Sequence, residues 1–183
     1  MKMKKVNVTM TGVRPMLFHN VNSMALKKPK NLTHEEHEAS EEVFKARLYM
    51  EDDKLVLPER VLHGLLKTAA QRSGVKQDGK RSTYSNLIRA VVFIPNSFEF
   101  KENYKDLAPH TEYVSVQMSK VLRIFPMLKK WTCEGSIVYD SDQISLETLT
   151  VLFDYAGGYI GVGDYRPTFG RFNCTMKDLG DLT

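Results

Sequence analysis

The stretch GGYIGVGDYRPTFGRF, residues 157–172, packs the most chemistry into the least chain. Gly161, Gly163 and Gly170 bracket Asp164, Tyr165, Arg166 and Phe169, and Arg171 follows. Glycine lets a backbone approach a phosphate closely and turn its N–H groups outward. Arg166 and Arg171 can pair phosphates, while Tyr165 and Phe169 offer planes on which bases stack. The combination points to nucleic acid. The competing reading is a tight helix-to-strand turn whose glycines only satisfy positive φ. The spacing is not G-x-G-x-x-G, no strand precedes it and no helix follows, which excludes a dinucleotide site.

Further cations stand elsewhere. Lys27, Lys28 and Lys30 form K-K-P-K, Arg123, Lys129 and Lys130 precede Trp131, and Arg14 and Lys67 lie near apolar segments. Such clusters can track a phosphate backbone, or they are ordinary surface charge. His34 and His37 share a helix face in H-E-E-H, but this is not H-E-x-x-H and no third ligand is placed. The expectation is no metal and no cofactor. His19 reads as a polar loop residue or an RNA contact, and His63 as a histidine beside an apolar helix stripe. Cys133 and Cys174 form no C-x-x-C pair and read as reduced thiols in strands.

The 183 residues carry a net charge of +4, with 42% hydrophobic and 26% charged side chains. That composition argues against disorder and against a membrane protein. The N-terminal MKMKKVNVTMTG lacks the apolar core of a secretory signal, so the expected compartment is the cytoplasm. Charge alternates in blocks: residues 1–30 hold seven cations and no acid, residues 31–59 are net −6, residues 60–130 net +8 and residues 131–183 net −5. If folding joins the two basic blocks, one face suits a polyanion.

The elements that must position these residues follow from periodicity. KVNVTMTGV alternates as a half-buried strand. Thr33 and Glu36 make a capping box that opens a helix to about Tyr49. Pro58 opens a second helix with Val61, Leu62, Leu65, Leu66 and Ala69 on one stripe. LIRAVVFIP reads as a strand and WTCEGSIVYD as a stronger one. Asp142 or Ser145 caps the helix LETLTVLFDYA, expected to end at Gly157 and Gly158, and FNCTM is a last strand before a polar tail. The order is β-α-β-β-α-β: an α+β, ferredoxin-like single domain over residues 1–183, with insertions at about 14–57 and 96–130, the second irregular and basic with strand-like pieces at YVSVQM and VLRIF. Both helices would cover one sheet face and leave the other free for a single strand.

The G-h-G segment with its following G-R, near the C-terminus, resembles the glycine-rich loop of the RAMP superfamily. These are the ferredoxin-like RNA-binding proteins of CRISPR systems. LVLPERVLHGLLKTAA, residues 55–70, is similar to the strand-proline-helix segment of their backbone subunits, with Pro58, His63, Gly64, Leu65, Leu66 and Lys67 in those places. The opening VNVTMTGVRPMLF fits too. The chain is short for a backbone subunit, and D-Y-R-P-T-F replaces the usual glycine and basic run, so a phage-encoded or stand-alone relative fits better. The resemblance implies single-stranded RNA binding (single-stranded DNA being the close alternative) and head-to-tail assembly along a strand or in a larger ribonucleoprotein. It does not by itself imply cleavage.

The expected interface is therefore Arg14, His19, Lys27, Lys28, Lys67, Arg123, Lys129, Lys130, Gly161, Gly163, Tyr165, Arg166, Phe169 and Arg171, on a protein that is not an enzyme. One alternative is a metal-independent endoribonuclease with His19 or His63 as base and Lys67 beside the oxyanion. Another is a structural or inhibitory module that binds protein.

Overall fold

The computed structural model describes residues 1–182. Strand β1 (Met3–Gly12) buries Val6, Val8 and Met10 completely, as its alternation requires. It lies between β9 (Thr132–Asp140) and β10 (Phe172–Asp181), antiparallel to both. Across β9 lie two short strands end to end, β5 (Val92–Phe93) and β6 (Phe98–Phe100). β6 continues the sheet into β4 (Lys54–Leu57), and β4 into β3 (Met50–Glu51). The seven-stranded antiparallel sheet runs β10-β1-β9-β6-β4-β3, with β5 on β9.

Two longer helices pack into the core of this sheet. α3 (Glu59–Arg72) follows Pro58 and buries Leu62, Leu65, Leu66, Ala69 and Ala70. α5 (Leu146–Tyr155) starts at Ser145, whose hydroxyl accepts the Thr148 N–H, and buries Leu149, Leu152 and Phe153. On the opposite face β1 and β10 are polar, while Val138 of β9 and the exposed Phe93 of β5 lie side by side. The only aromatic side chains of β1, β9 and β10 are Tyr139 and Phe172, and both are buried. That face therefore has no stacking plane from its central strands.

The reading of 96–130 as largely irregular is corrected, and its strand-like pieces YVSVQM and VLRIF fall on two paired strands and the turn that joins them. Residues 96–130 form a long hairpin, β7 (Leu107–Val116) and β8 (Ser119–Leu128). Its two-residue turn puts Gln117 at φ 46° and Met118 at φ 66°. Such a turn usually carries Asn-Gly, so the sequence did not announce it. β2 (Met16–Leu17) joins the base of β8 and makes a second, three-stranded sheet.

The helix expected over 33–49 is two helices, α1 (His34–Glu38) and α2 (Glu41–Ala46). The Thr33–Glu36 capping box forms as expected. Ser40 breaks the helix because its hydroxyl caps α2 by accepting the Val43 N–H. LIRAVVFIP opens as a helical turn, α4 (Ile88–Val91), before β5. α5 does not end at Gly157 and Gly158 but passes after Tyr155 into a π turn (Ala156–Ile160) that contains both, and Gly161 at φ 78° ends it. The polar tail belongs to β10, paired with β1 as far as Asp181. No helix among the described residues is long and apolar enough to cross a membrane.

Candidate nucleic-acid interface

The 161–171 loop is moulded onto β2 and its own ends. Asp164 N–H donates to Leu17 O at 3.0 Å, Gly170 N–H to Pro15 O at 2.7 Å and Val162 N–H to Gly170 O at 2.9 Å. A Cβ on Gly163, at φ 81°, would sit 2.4 Å from Leu17 O, and one on Gly170 1.7 Å from Val162 O. These glycines are required by backbone packing, and the amides of Gly161, Val162, Asp164 and Gly170 all donate to backbone carbonyls. The outward-turned amide cradle expected of this loop is thus not formed by those four groups. The loop presents side chains instead.

The packing on β2 brings Asp164 against His19. His19 Nδ1 donates to Asp164 Oδ2 at 2.8 Å, and both side chains are partly exposed. Asp164 Oδ1 accepts the Tyr165 N–H at 2.9 Å. The His19 hydrogen bond holds the Asp164 carboxyl below the usual range against the opposing effect of burial. Arg166 assists only through its charge, so Asp164 pairs with His19 rather than clamping Arg166. Tyr165 sits at φ 51°, a left-handed conformation that a non-glycine residue adopts rarely.

Asp164 lies where three grooves meet. The largest, about 490 Å³, opens toward the hairpin and α1–α2, with Met24, Val114, Phe125 and Tyr165 among its apolar walls. The Phe125 ring meets His19 and Tyr165 edge-on, each with centroids 5.5 Å apart. Beneath it runs a buried charge network. Arg47 Nη2 donates to Glu38 Oε2 at 2.8 Å, and both side chains are 3% exposed. Arg123 Nη1 donates to Glu38 Oε1 at 2.8 Å, and Arg47 Nη1 donates to Ile124 O. Burial alone would raise the Glu38 pKa, but the two arginines and the Ile124 N–H hold it below the ordinary value. This network fastens α1 and α2 to β8.

The other two grooves, about 360 and 410 Å³, run between the loop and α3. Arg60, Gly64, Thr68 and Arg72 recur every four residues and so share the α3 face that lines them, opposite Arg166. Tyr159 lines the far end, tilted over Tyr155 at 4.9 Å between centroids.

Of the residues expected from sequence, His19, Lys28, Arg123, Gly163, Tyr165 and Arg166 meet along these grooves. Arg123 is committed to Glu38, and Lys28 Nζ donates to Leu32 O at 2.6 Å. Gly161 is buried behind the loop. Phe169 packs on His110, with centroids 5.1 Å apart, and Arg171 Nε donates to Pro167 O at 3.1 Å. Arg14, Lys27, Lys67, Lys129 and Lys130 are exposed and line none of the three grooves. His63 lies outside them too, near Glu59 and Arg89, where burial lowers its pKa. Lys67 and His63 are therefore not beside His19.

Sequence reasoning missed Arg60, Arg72, Tyr159 and the Glu38–Arg47 pair. The four-residue spacing on α3 was the available signal for the arginines. Among the described residues no group of three or more His, Cys, Asp or Glu side chains is arranged to hold a metal ion. No protein-family model and no curated protein sequence matches this chain.

Proposed function

We propose that this protein binds single-stranded RNA in the manner of RAMP proteins, on a ferredoxin-like core, without cutting it. The sheet order β10-β1-β9-β6, with α3 between β1 and β6 and α5 between β9 and β10 in the chain, supports the ferredoxin-like reading. The observation that carries the function is the trough between α3 and the loop. Arg60, Arg72 and Arg166 line it, with Tyr159 and Tyr165 at its margin. Guanidinium groups bind phosphates bidentately, and tyrosine rings accept any base. The cations that line no groove, Arg14, Lys27, Lys67, Lys129 and Lys130, then serve to steer the strand rather than to hold it. A strand longer than the trough invites further copies head to tail. Fluorescence anisotropy with single-stranded RNA, single-stranded DNA and duplex, at two salt concentrations, tests this. Equal affinity for duplex would count against the single-strand preference, and binding unaffected by salt would favour the protein-binding alternative.

A second reading rests on the His19–Asp164 pair. With Nδ1 given to Asp164, Nε2 is the nitrogen free to take a proton. His19 would then take the 2′-hydroxyl proton as the 2′-oxygen attacks the adjacent phosphorus. The 5′-oxygen leaves with a proton from water, giving a 2′,3′-cyclic phosphate. Neither Lys67 nor His63 has a part in this version, since neither lines the His19 grooves. Cleavage of labelled RNA in EDTA, lost in His19→Ala with affinity retained, would replace the non-catalytic reading with this one.

A further inference from the structure

The hairpin-side groove holds a buried ring without a partner. His37 of α1 is 8% exposed and lines the groove. Its backbone N–H and carbonyl are used within the helix and by Ser40, but among the described residues its ring nitrogens make no hydrogen bond. A polar group buried in this way is satisfied by a partner from outside. Arg123 lines the same groove with 38% of its side chain exposed. Its Nη1 donates to Glu38 Oε1 at 2.8 Å, while Nη2 and Nε have no protein partner among the described residues. A guanidinium held at one corner presents its other edge as a fork that fits a phosphate.

Charge points to the same ligand. Arg47 and Arg123 share the single carboxylate of Glu38, and Arg47 Nε is buried without a partner. Glu112, opposite Arg123 in the hairpin, bonds His110, and Asp164 bonds His19. The triad therefore keeps one positive charge that no acid of its own balances. Lys28 and His34 line the groove with backbone carbonyls as their hydrogen-bond partners. The remaining walls include Met24, Phe125 and Tyr165, and the volume of about 490 Å³ falls in the range of roughly 300–1,000 Å³ that small-ligand sites occupy. We infer that this groove binds a free small molecule, an aromatic phosphate monoester. Its phosphate takes the open edge of Arg123 and the His37 ring, and its aromatic body packs against Phe125 and Tyr165. Three terminal oxygens can serve both side chains at once, and the second negative charge of the monoester answers Lys28. His37 and Arg123 line neither groove along α3, so the site stands apart from the trough and does not rest on the RNA reading.

Calorimetric titration of the full chain with phenyl phosphate tests this. Phenyl phosphate should bind about ten-fold more tightly than inorganic phosphate, which cannot reach the aromatic walls. His37→Phe keeps a ring and removes its nitrogens, so it should weaken phenyl phosphate about ten-fold without lowering the melting temperature. Met24→Trp, which fills the groove from an exposed position, should weaken it as well. In imidazole NMR spectra the His37 ring should shift with phenyl phosphate, and His63, outside the grooves, should not. If phenyl phosphate does not bind, if the His37 ring does not shift, or if both variants bind as wild type does, the site is wrong and the RNA reading is untouched. Equal affinity for inorganic phosphate would overturn the aromatic body of the ligand. Loss of binding in Arg166→Ala but not in His37→Phe would place the phosphate in the α3 trough and overturn the site.

Discussion

His19 and Asp164 are 145 positions apart in the chain, and their Nδ1 and Oδ2 atoms are 2.8 Å apart. The pair exists because Gly163 lets the loop press on Leu17, two residues before His19. A requirement of backbone packing thereby sets a polar couple at the meeting point of three grooves.

The couple has a pH signature. The folded Asp164 pKa is lowered, chiefly by the His19 hydrogen bond, so its contribution is present above the unfolded value of about 3.9 and is lost as pH falls through the folded one. Melting temperatures of wild type and Asp164→Asn should differ near neutral pH and converge in strong acid. A constant difference down to acid would mean that the carboxylate charge is not what stabilises the loop.

Glu38 and Arg47 give the largest expected loss. Removing one member leaves the other charge buried at 3% exposure. Glu38→Ala should cost about 3–5 kcal/mol in urea unfolding. Glu38→Leu combined with Arg47→Met should recover much of that, because the double change removes both charges. A Glu38→Ala loss below about 1 kcal/mol would show that α1 and α2 do not depend on the network.

The loop glycines separate by what surrounds them. Gly163→Ala places a Cβ against Leu17 O and forces alanine to φ 81°, so it should destabilise by about 1–3 kcal/mol. Gly158→Ala meets nothing within 4 Å inside the π turn and should be neutral or stabilising by up to about 1 kcal/mol. Thermal melts of the two variants check the contrast. Equal effects would contradict the packing account.

Much of this fold was legible. β1, α3, α5, β9 and the start of β10 follow from alternation and from helical stripes. The hairpin was legible only as the strand-like pieces YVSVQM and VLRIF; its length and pairing were not, for two reasons. Pro109 and Pro126 face each other across β7 and β8, where proline argues against a strand. The Gln117–Met118 turn also lacks the glycine that marks such turns. α4 deceived because five apolar residues in six, residues 87–92, fit a strand as well as a helical turn. At the site, Tyr165, Arg166 and His19 were legible as residue types in unusual company. The His19–Asp164 contact was not, since it depends on β2 pairing with β8, a long-range event with no local signature.

Arg72 and Arg166 line the trough from opposite walls, and Arg166 is exposed. Each changed to Ala should weaken single-stranded RNA binding by about 1–3 kcal/mol, lower the salt slope by about 0.7 and leave melting unchanged. Lys67→Ala, outside the grooves, should change affinity far less.

The most direct test is the affinity of wild type and the Arg72→Ala, Arg166→Ala double variant for a labelled single-stranded RNA, at low and physiological salt, beside a duplex of equal length. The account predicts salt-sensitive binding that prefers the single strand and falls at least ten-fold in a double variant that melts like wild type. Undiminished binding by the double variant, or no preference over duplex, would contradict it.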